Sequence, residues 1–518
     1  MRRREKRIVF WMLAALVLLC GLPAGAGAAP TAPSNDPFYA YKGSLAAVAP
    51  GTVLRTRQIQ VSEAGTPQAY PATQILYRTT DQLGQPSATV ATLIQPAGAG
   101  VAPVKLLSYQ TFYDGVASTC RPSYTLQGGD PSNTTASADE ALMLDYVSQG
   151  FAVVTSDYEG PTDDYGAGHE SGQATLDAIR AAEHQMGLTA RAPVGLVGYS
   201  GGSIASEWAS ELQPRYAPEL NLIGVAEGGI PADYIHTTAY IDGSSSWAGA
   251  IPAVSLGLMR AYKLNVSKYA SAKGLEIFKQ VELGCLTPTA YPGLKLADLL
   301  KPQYKDWHKV PIFIRIFNNS IMSFAGTPKE PLLMGVGDAD GTGDGVMIDK
   351  DVQELAYIYC SRHVPVQFHV YANSDHVEAA PQFEAQAVQF LQEVYNGQTP
   401  ANECGSIAPG NPFTPLPVPK SQQPAPRIEL RRAAFSSHAH GVAVVIAASR
   451  GVIRGVTVEL VHGRTVTAKA VLPSVGTGAR RLLLRVHGGL PPSGHYTLLV
   501  VVRRKTVARR AITIPKAR

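Results

Sequence analysis

Beyond residue 29 the chain has no apolar run long enough to cross a bilayer, which takes about 20 residues. Charged residues make up only 16% of the 518, and mean hydropathy is close to zero. That balance excludes both a disordered chain and one that coats nucleic acid, and no nucleic-acid partner is expected. Cysteine is scarce, with five in all. Internal repeats are absent, so a solenoid or propeller is excluded. Acidic residues are almost missing from one stretch: from Arg427 onward there are 2 Asp and Glu against 17 Lys and Arg. Residues 8–426 hold 37 acidic and 23 basic residues. The formal charge of +5 therefore averages an acidic body and a basic C-terminal region.

The N-terminus reads as a signal peptide over residues 1–29. Arg2 to Arg7 is a positive segment, Ile8 to Leu22 is apolar, and Ala24 to Ala29 offers small-residue cleavage sites. Export is expected, to the extracellular space with the cell envelope as an alternative. In that compartment the four remaining cysteines, Cys120, Cys285, Cys360 and Cys404, favour two disulfides, with three pairings open.

Residues 30–50 look like a loose leader. Alternating stretches at Val53–Val61, Gln74–Thr79 and Ala88–Ile94 predict antiparallel strands. Short apolar runs then predict buried strands at Val104–Tyr109, Gly150–Thr155, Val194–Tyr199, Asn221–Glu227, Pro331–Val336 and Val364–Tyr371. Helical segments separate several of them: Ser137–Gln149, which opens on an expected capping box of Ser137 with Glu140, then Gln173–Met186, Ser203–Gln213 and Pro381–Tyr395. This is the pattern of an α/β fold with a mostly parallel central sheet covered on both faces. About 100 residues between Gly229 and Pro331 are too many for a crossover, and they read as an inserted helical cap over about 230–325. The expected catalytic unit spans 30–408, a Pro-rich linker 409–426, and a basic, small all-β, sandwich-like domain 427–518.

The motif on which the chain turns is Gly198-Tyr199-Ser200-Gly201-Gly202, at the end of an apolar strand and the start of a helix. Strand, sharp turn and helix with a Ser between glycines make a nucleophile elbow of the α/β-hydrolases. In that layout an acid and then a histidine follow the serine, each beyond a later strand. His376 lies just past the last core strand, in what reads as a loop from Ala372, whereas His169 and His184 precede the serine. The acid is open among Asp338, Asp340 and Asp344, all in the loop after the penultimate strand. Asp338, Asp340, Gly343 and Asp349 also have an approximate calcium-loop spacing, but Thr342 and Asp349 depart from it and no metal is expected.

These motifs, with Tyr77-Arg-Thr-Thr-Asp-Gln-Leu-Gly84, Ser108-Tyr-Gln-Thr-Phe-Tyr-Asp114, Cys120-Arg-Pro-Ser123, Asp157-Tyr-Glu-Gly160 and Leu176-Asp-Ala-Ile-Arg180, resemble the secretory lipases of the yeast lipase-A type. The likeness covers about residues 35–405 and leaves the basic domain outside it. It implies an α/β-hydrolase with a cap, lipase or esterase activity without cofactor, and a triad of Ser200, Asp344 and His376. It further implies an oxyanion hole from Gly201 and Asp114, the latter chiefly through its backbone N–H. It pairs Cys120 with Cys285 and Cys360 with Cys404. The expected function is a secreted triacylglycerol lipase acting on a lipid or ester. The alternatives are an esterase, polyesterase or peptidase with the same triad, or an inert surface-binding protein. The basic domain is expected to meet an anionic cell-envelope polymer or membrane surface.

Overall fold

The computed structural model describes residues 29–98, 105–419, 427–437, 439–486, 492–503 and 505–516. The expected signal peptide, Ala29 apart, lies outside them, as do Val104 and residues 420–426 of the expected linker. The chain divides into two compact units, Met1–Pro417 and Val418–Arg518.

In the first unit, strands β1 (Val53–Glu63), β2 (Thr66–Thr80), β3 (Pro86–Ile94), β4 (Lys105–Gln110), β5 (Phe151–Ser156), β6 (Pro193–Tyr199), β7 (Asn221–Gly228), β8 (Leu332–Asp338) and β9 (Val366–Ala372) form one sheet. Their order is β1-β2-β3-β5-β4-β6-β7-β8-β9. Pairing is antiparallel up to β3–β5 and parallel from there to β9. The parallel strands are apolar on both sides because successive side chains serve different cores. Val194 and Leu196 of β6 point into one core with Leu176, Ile204 and Leu355. Val197 and Tyr199 point into the other, with Met143, Phe383 and Phe390.

Helices Gly168–Met186, Gly201–Tyr216 and Asp349–Ser361 thus cover one face, and Thr134–Ser148 and His376–Tyr395 the other. Between β7 and β8 six helices run from Tyr234 to Asn319. Their Leu256, Met259, Phe278, Leu299 and Phe317 continue the first core, so this insertion shares its burial with the sheet.

Four local expectations are corrected. The capping box does not form. Asn133 caps the helix by accepting from Ala136 N at 3.1 Å, and Glu140 is drawn away to accept from Ala64 N at 2.9 Å. Residues 30–50 are not loose: Phe38 is buried, Asp36 pairs with Arg57, and Tyr39 shares a hydrogen bond with Ser123. The Pro-rich stretch is no free linker at its start. Leu416 and Asn318 exchange two hydrogen bonds, and Gly410 N donates to Glu354, so 409–417 is fastened to the first unit. Finally, His376 is the first residue of a helix rather than a loop residue, with Asp375 as its cap.

Among the described residues the second unit has seven strands: β10 (Ile428–Ser436), β11 (Gly441–Ala448), β12 (Ile453–His462), β13 (Thr465–Val475), β14 (Arg480–Leu484), β15 (Gly494–Val502) and β16 (Lys505–Ile514). They make two antiparallel sheets, β10-β11-β14 and β13-β12-β15-β16. Val442, Val444, Ile446, Val456, Val458, Leu498 and Val500 fill the space between them, as alternation along each strand requires.

The first unit hides many carboxyls. Burial pushes Glu140, Glu330 and Glu384 up to about 7. Burial, together with the like charges of its neighbours, raises Glu227 far more. Unfolding returns each to the ordinary range near 4.3, so between about pH 4 and 7 the folded chain holds more protons than the unfolded one. Stability is therefore greatest at the acidic side of that window and falls as pH rises through it. Thermal unfolding should show a Tm lower at pH 8 than at pH 5 by roughly 3 °C or more. In Glu384→Gln, which keeps an acceptor for the Tyr146 hydroxyl, the dependence should flatten.

Candidate active site

Ser200 follows β6 and sits at φ 54°, ψ −120°, a conformation that β-carbon-bearing residues adopt only under strain. The glycines at either side make it feasible. A Cβ on Gly198 would come within 2.3 Å of the carbonyl oxygen of Gly202, and one on Gly202 within 2.0 Å of that of Gln110. The turn is fixed by Ser200 N donating to Gly228 O at 2.9 Å. It also leaves the side chain at the mouth of the helix that starts at Gly201, whose first N–H groups have no acceptor within the helix.

Two later strand ends bring the partners. Beyond β9, His376 Nε2 lies 2.7 Å from Ser200 Oγ. Beyond β8, Asp344 Oδ2 lies 2.7 Å from His376 Nδ1. The other oxygen of Asp344 accepts from Val346 N and Met347 N, so this wholly buried carboxylate is held by its own loop. His376 N donates to Asp344 O at 2.9 Å, which fixes the two loops to each other. The alternatives point elsewhere. Asp340 accepts from the Tyr240 hydroxyl at 2.8 Å and from its own loop, and Asp338 accepts from Gly341 N. With those bonds Asp338 and Asp340 face different ways, and among the described residues no three metal-ligating side chains converge.

Asp114, after β4, is 8% exposed and lies against Gly201: its Oδ1 is 1.6 Å from where a Cβ on Gly201 would stand. Oδ1 keeps no protein partner, and burial pushes the carboxyl up to about 6. The position is braced from the cap. Cys120 and Cys285 form one disulfide, Gly115 bridges Cys285, and Leu286 N donates to Asp114 O at 2.9 Å. The second disulfide joins Cys360 to Cys404.

Ser200 and His376 open on a cavity of about 560 Å³ walled by Phe112, Leu142, Trp247, Leu286, Pro288 and Val377. A smaller apolar cavity of about 80 Å³ adjoins Gly201 on the other side, with Ile204, Ile251, Leu258 and Met347 in its wall. A wider cleft of about 1100 Å³ near Arg121 and Arg260 includes neither Ser200 nor His376. Two aromatic residues pack on the histidine: Trp247, which no motif marks, and Tyr199, the variable position of the elbow. Their rings lie 5.1 Å from the His376 ring, and Tyr199 also donates to His376 O.

Comparison with known proteins places the chain among lipases by family and fold. The family model described as secretory lipase matches residues 127–403. A Mycobacterium tuberculosis protein described as a probable inactive lipase is 32% identical over 381 residues, 71% of this chain and 84% of its own. Lipase 10 of Candida albicans is 32% identical over 398 residues, 72% of this chain and 83% of its own. The structure of Candida antarctica lipase A in its closed state superposes with a TM-score of 0.66 at 29% identity, covering 74% of this chain and 91% of that one. Its fold is accordingly that of the α/β-hydrolases.

The elbow itself is testable without any substrate. Gly202→Ala, which forces a Cβ onto a backbone carbonyl, should cost about 2 kcal/mol or more in urea unfolding. Gly284→Ala, with open space around its Cα, should be near neutral.

Proposed function

Because the chain belongs to the secretory lipase family, we propose that it is an exported serine ester hydrolase acting on acylglycerols. Ser200 Oγ attacks the ester carbonyl while His376 Nε2 takes its proton, and Asp344 steadies the imidazolium through Nδ1. Collapse of the tetrahedral intermediate expels the alcohol, which takes the proton back from His376, and leaves an acyl-enzyme. Water then repeats the sequence and releases the fatty acid. The Gly201 N–H and the Asp114 carboxyl, when protonated, donate to the oxyanion. The single observation that carries this reading is the unbroken hydrogen-bonded chain from Ser200 through His376 to Asp344, both links at 2.7 Å. The apolar walls of the cavity onto which Ser200 opens favour an acyl group over a peptide.

One relative is described as inactive, so turnover is the first measurement. Ser200→Ala should lower hydrolysis of p-nitrophenyl and triacylglycerol esters by roughly 10⁴-fold or more, and the wild type should be labelled by a fluorophosphonate. An unlabelled wild type would favour a non-catalytic binding role. Asp344→Asn should cost far more activity than Asp340→Asn, and the reverse order would move the acid.

Asp114 adds a pH test. Its proton is lost as pH rises through about 6, so the oxyanion loses a donor on the alkaline side. The wild-type kcat/KM should therefore carry a falling limb near that pH. Asp114→Asn, whose amide donates at every pH, should flatten it; an unaltered limb would leave the donation to backbone groups.

A further inference from the structure

We propose that the basic sandwich of residues 427–518 docks the protein on an anionic lipid surface through one end of its β-barrel-like stack of strands. The inference rests on the lipid-hydrolase reading only for its setting. Its basis is where the register puts the charges.

At one end of the sandwich β10 begins, β11 ends, β12 begins, β13 ends, β14 begins, β15 ends and β16 begins. The two sheets share this end because the turns 449–452 and 476–479 cross from one to the other there, joined by Ala448 N donating to Gly476 O. The same end carries Arg427, Arg454, Arg480, Arg481, Arg503 and Lys505, all exposed. The opposite end has Arg464, Arg485 and Lys516. Among the described residues of the domain, the carboxylates of Glu429 and Glu459 pair with Arg431 and Lys469, each at 3.2 Å, and not with the six cations of the crowded end.

The choice of lipid over a soluble polyanion comes from what stands among those cations. Val452, in the turn beside Arg450 and Arg454, is 62% exposed, Val507 on β16 is 48% exposed, and Val471 on β13 is 66% exposed. The register sets Val471 beside Thr457, and Thr457 beside Val501, next to the last pair that β12 makes with β15. A polymer of phosphates or carboxylates would gain nothing from bare aliphatic groups. At a lipid surface the guanidinium groups bind headgroup anions while the valines enter the interface. Arginine dominates the set, as suits bidentate contact with phosphate.

The test uses the full-length chain as Ser200→Ala, so binding is read without hydrolysis and can fail or succeed independently of the catalytic reading. Co-sedimentation should retain it on phosphatidylglycerol-containing vesicles and not on phosphatidylcholine alone, with release as salt is raised. The triple variant Arg454→Glu, Arg481→Glu, Arg503→Glu should bind at least tenfold more weakly, and Val452→Ser with Val507→Ser several-fold more weakly. All these substitutions, made in the otherwise wild-type chain, should leave hydrolysis of a soluble ester unchanged. Equal binding to both vesicle types, unchanged binding by the triple variant, or binding to poly-glutamate without binding to vesicles would each overturn the proposal. The last of these would point to a polymer partner. Failure to bind any of these probes at low salt would also overturn it.

Discussion

The backbone at Ser200 is the constraint from which the first unit follows. A residue held at φ 54°, ψ −120° is retained only where its surroundings leave no alternative. Here β4 supplies carbonyls against which no Cβ fits, β7 accepts the Ser200 N–H, and the helix from Gly201 begins at once. The neighbouring strand ends then have one place to deliver side chains. His376 and Asp344 arrive on separate loops, but their backbones are hydrogen-bonded to each other, so imidazole and carboxylate move as a unit. Packing of Tyr199 and Trp247 against the imidazole restricts its rotation and sheds water from one side of it. The sheet, the cap and the two loops therefore bear on one short hydrogen-bonded chain.

Much of this was legible because the signals were local. Each buried parallel strand is a continuous apolar run, and six such runs fall within a residue or two of β4 to β9. The elbow has its own residues, chain order removed His169 and His184, and a place just past the last core strand pointed to His376. What the sequence left open was decided by side-chain direction. Asp338, Asp340 and Asp344 share one loop, and only the turn that ties Asp344 to Val346 and Met347 aims it at His376. The capping box failed for a similar reason, since Glu140 found Ala64, 76 residues away in the chain, a more useful donor. Tyr199 stands in the elbow only as its variable position, and nothing in the sequence marks its hydrogen bond to His376 across the fold.

Asp114 shows how a position can be legible while its chemistry is not. Its position after an early strand is a matter of topology, and it lies beside Gly201 as that topology requires. The loop that carries it is braced by the Cys120–Cys285 disulfide and by Leu286 N, which donates to Asp114 O. The cap thus does more than wall the cavity: through Cys285 and Leu286 it holds the loop that carries Asp114.

Burial of carboxyls then links chemistry to stability. The cause that raises Asp114 is the cause that raises Glu140, Glu330 and Glu384: a charge removed from water with too few partners to replace it. In each case the protonated form is the one the fold accommodates.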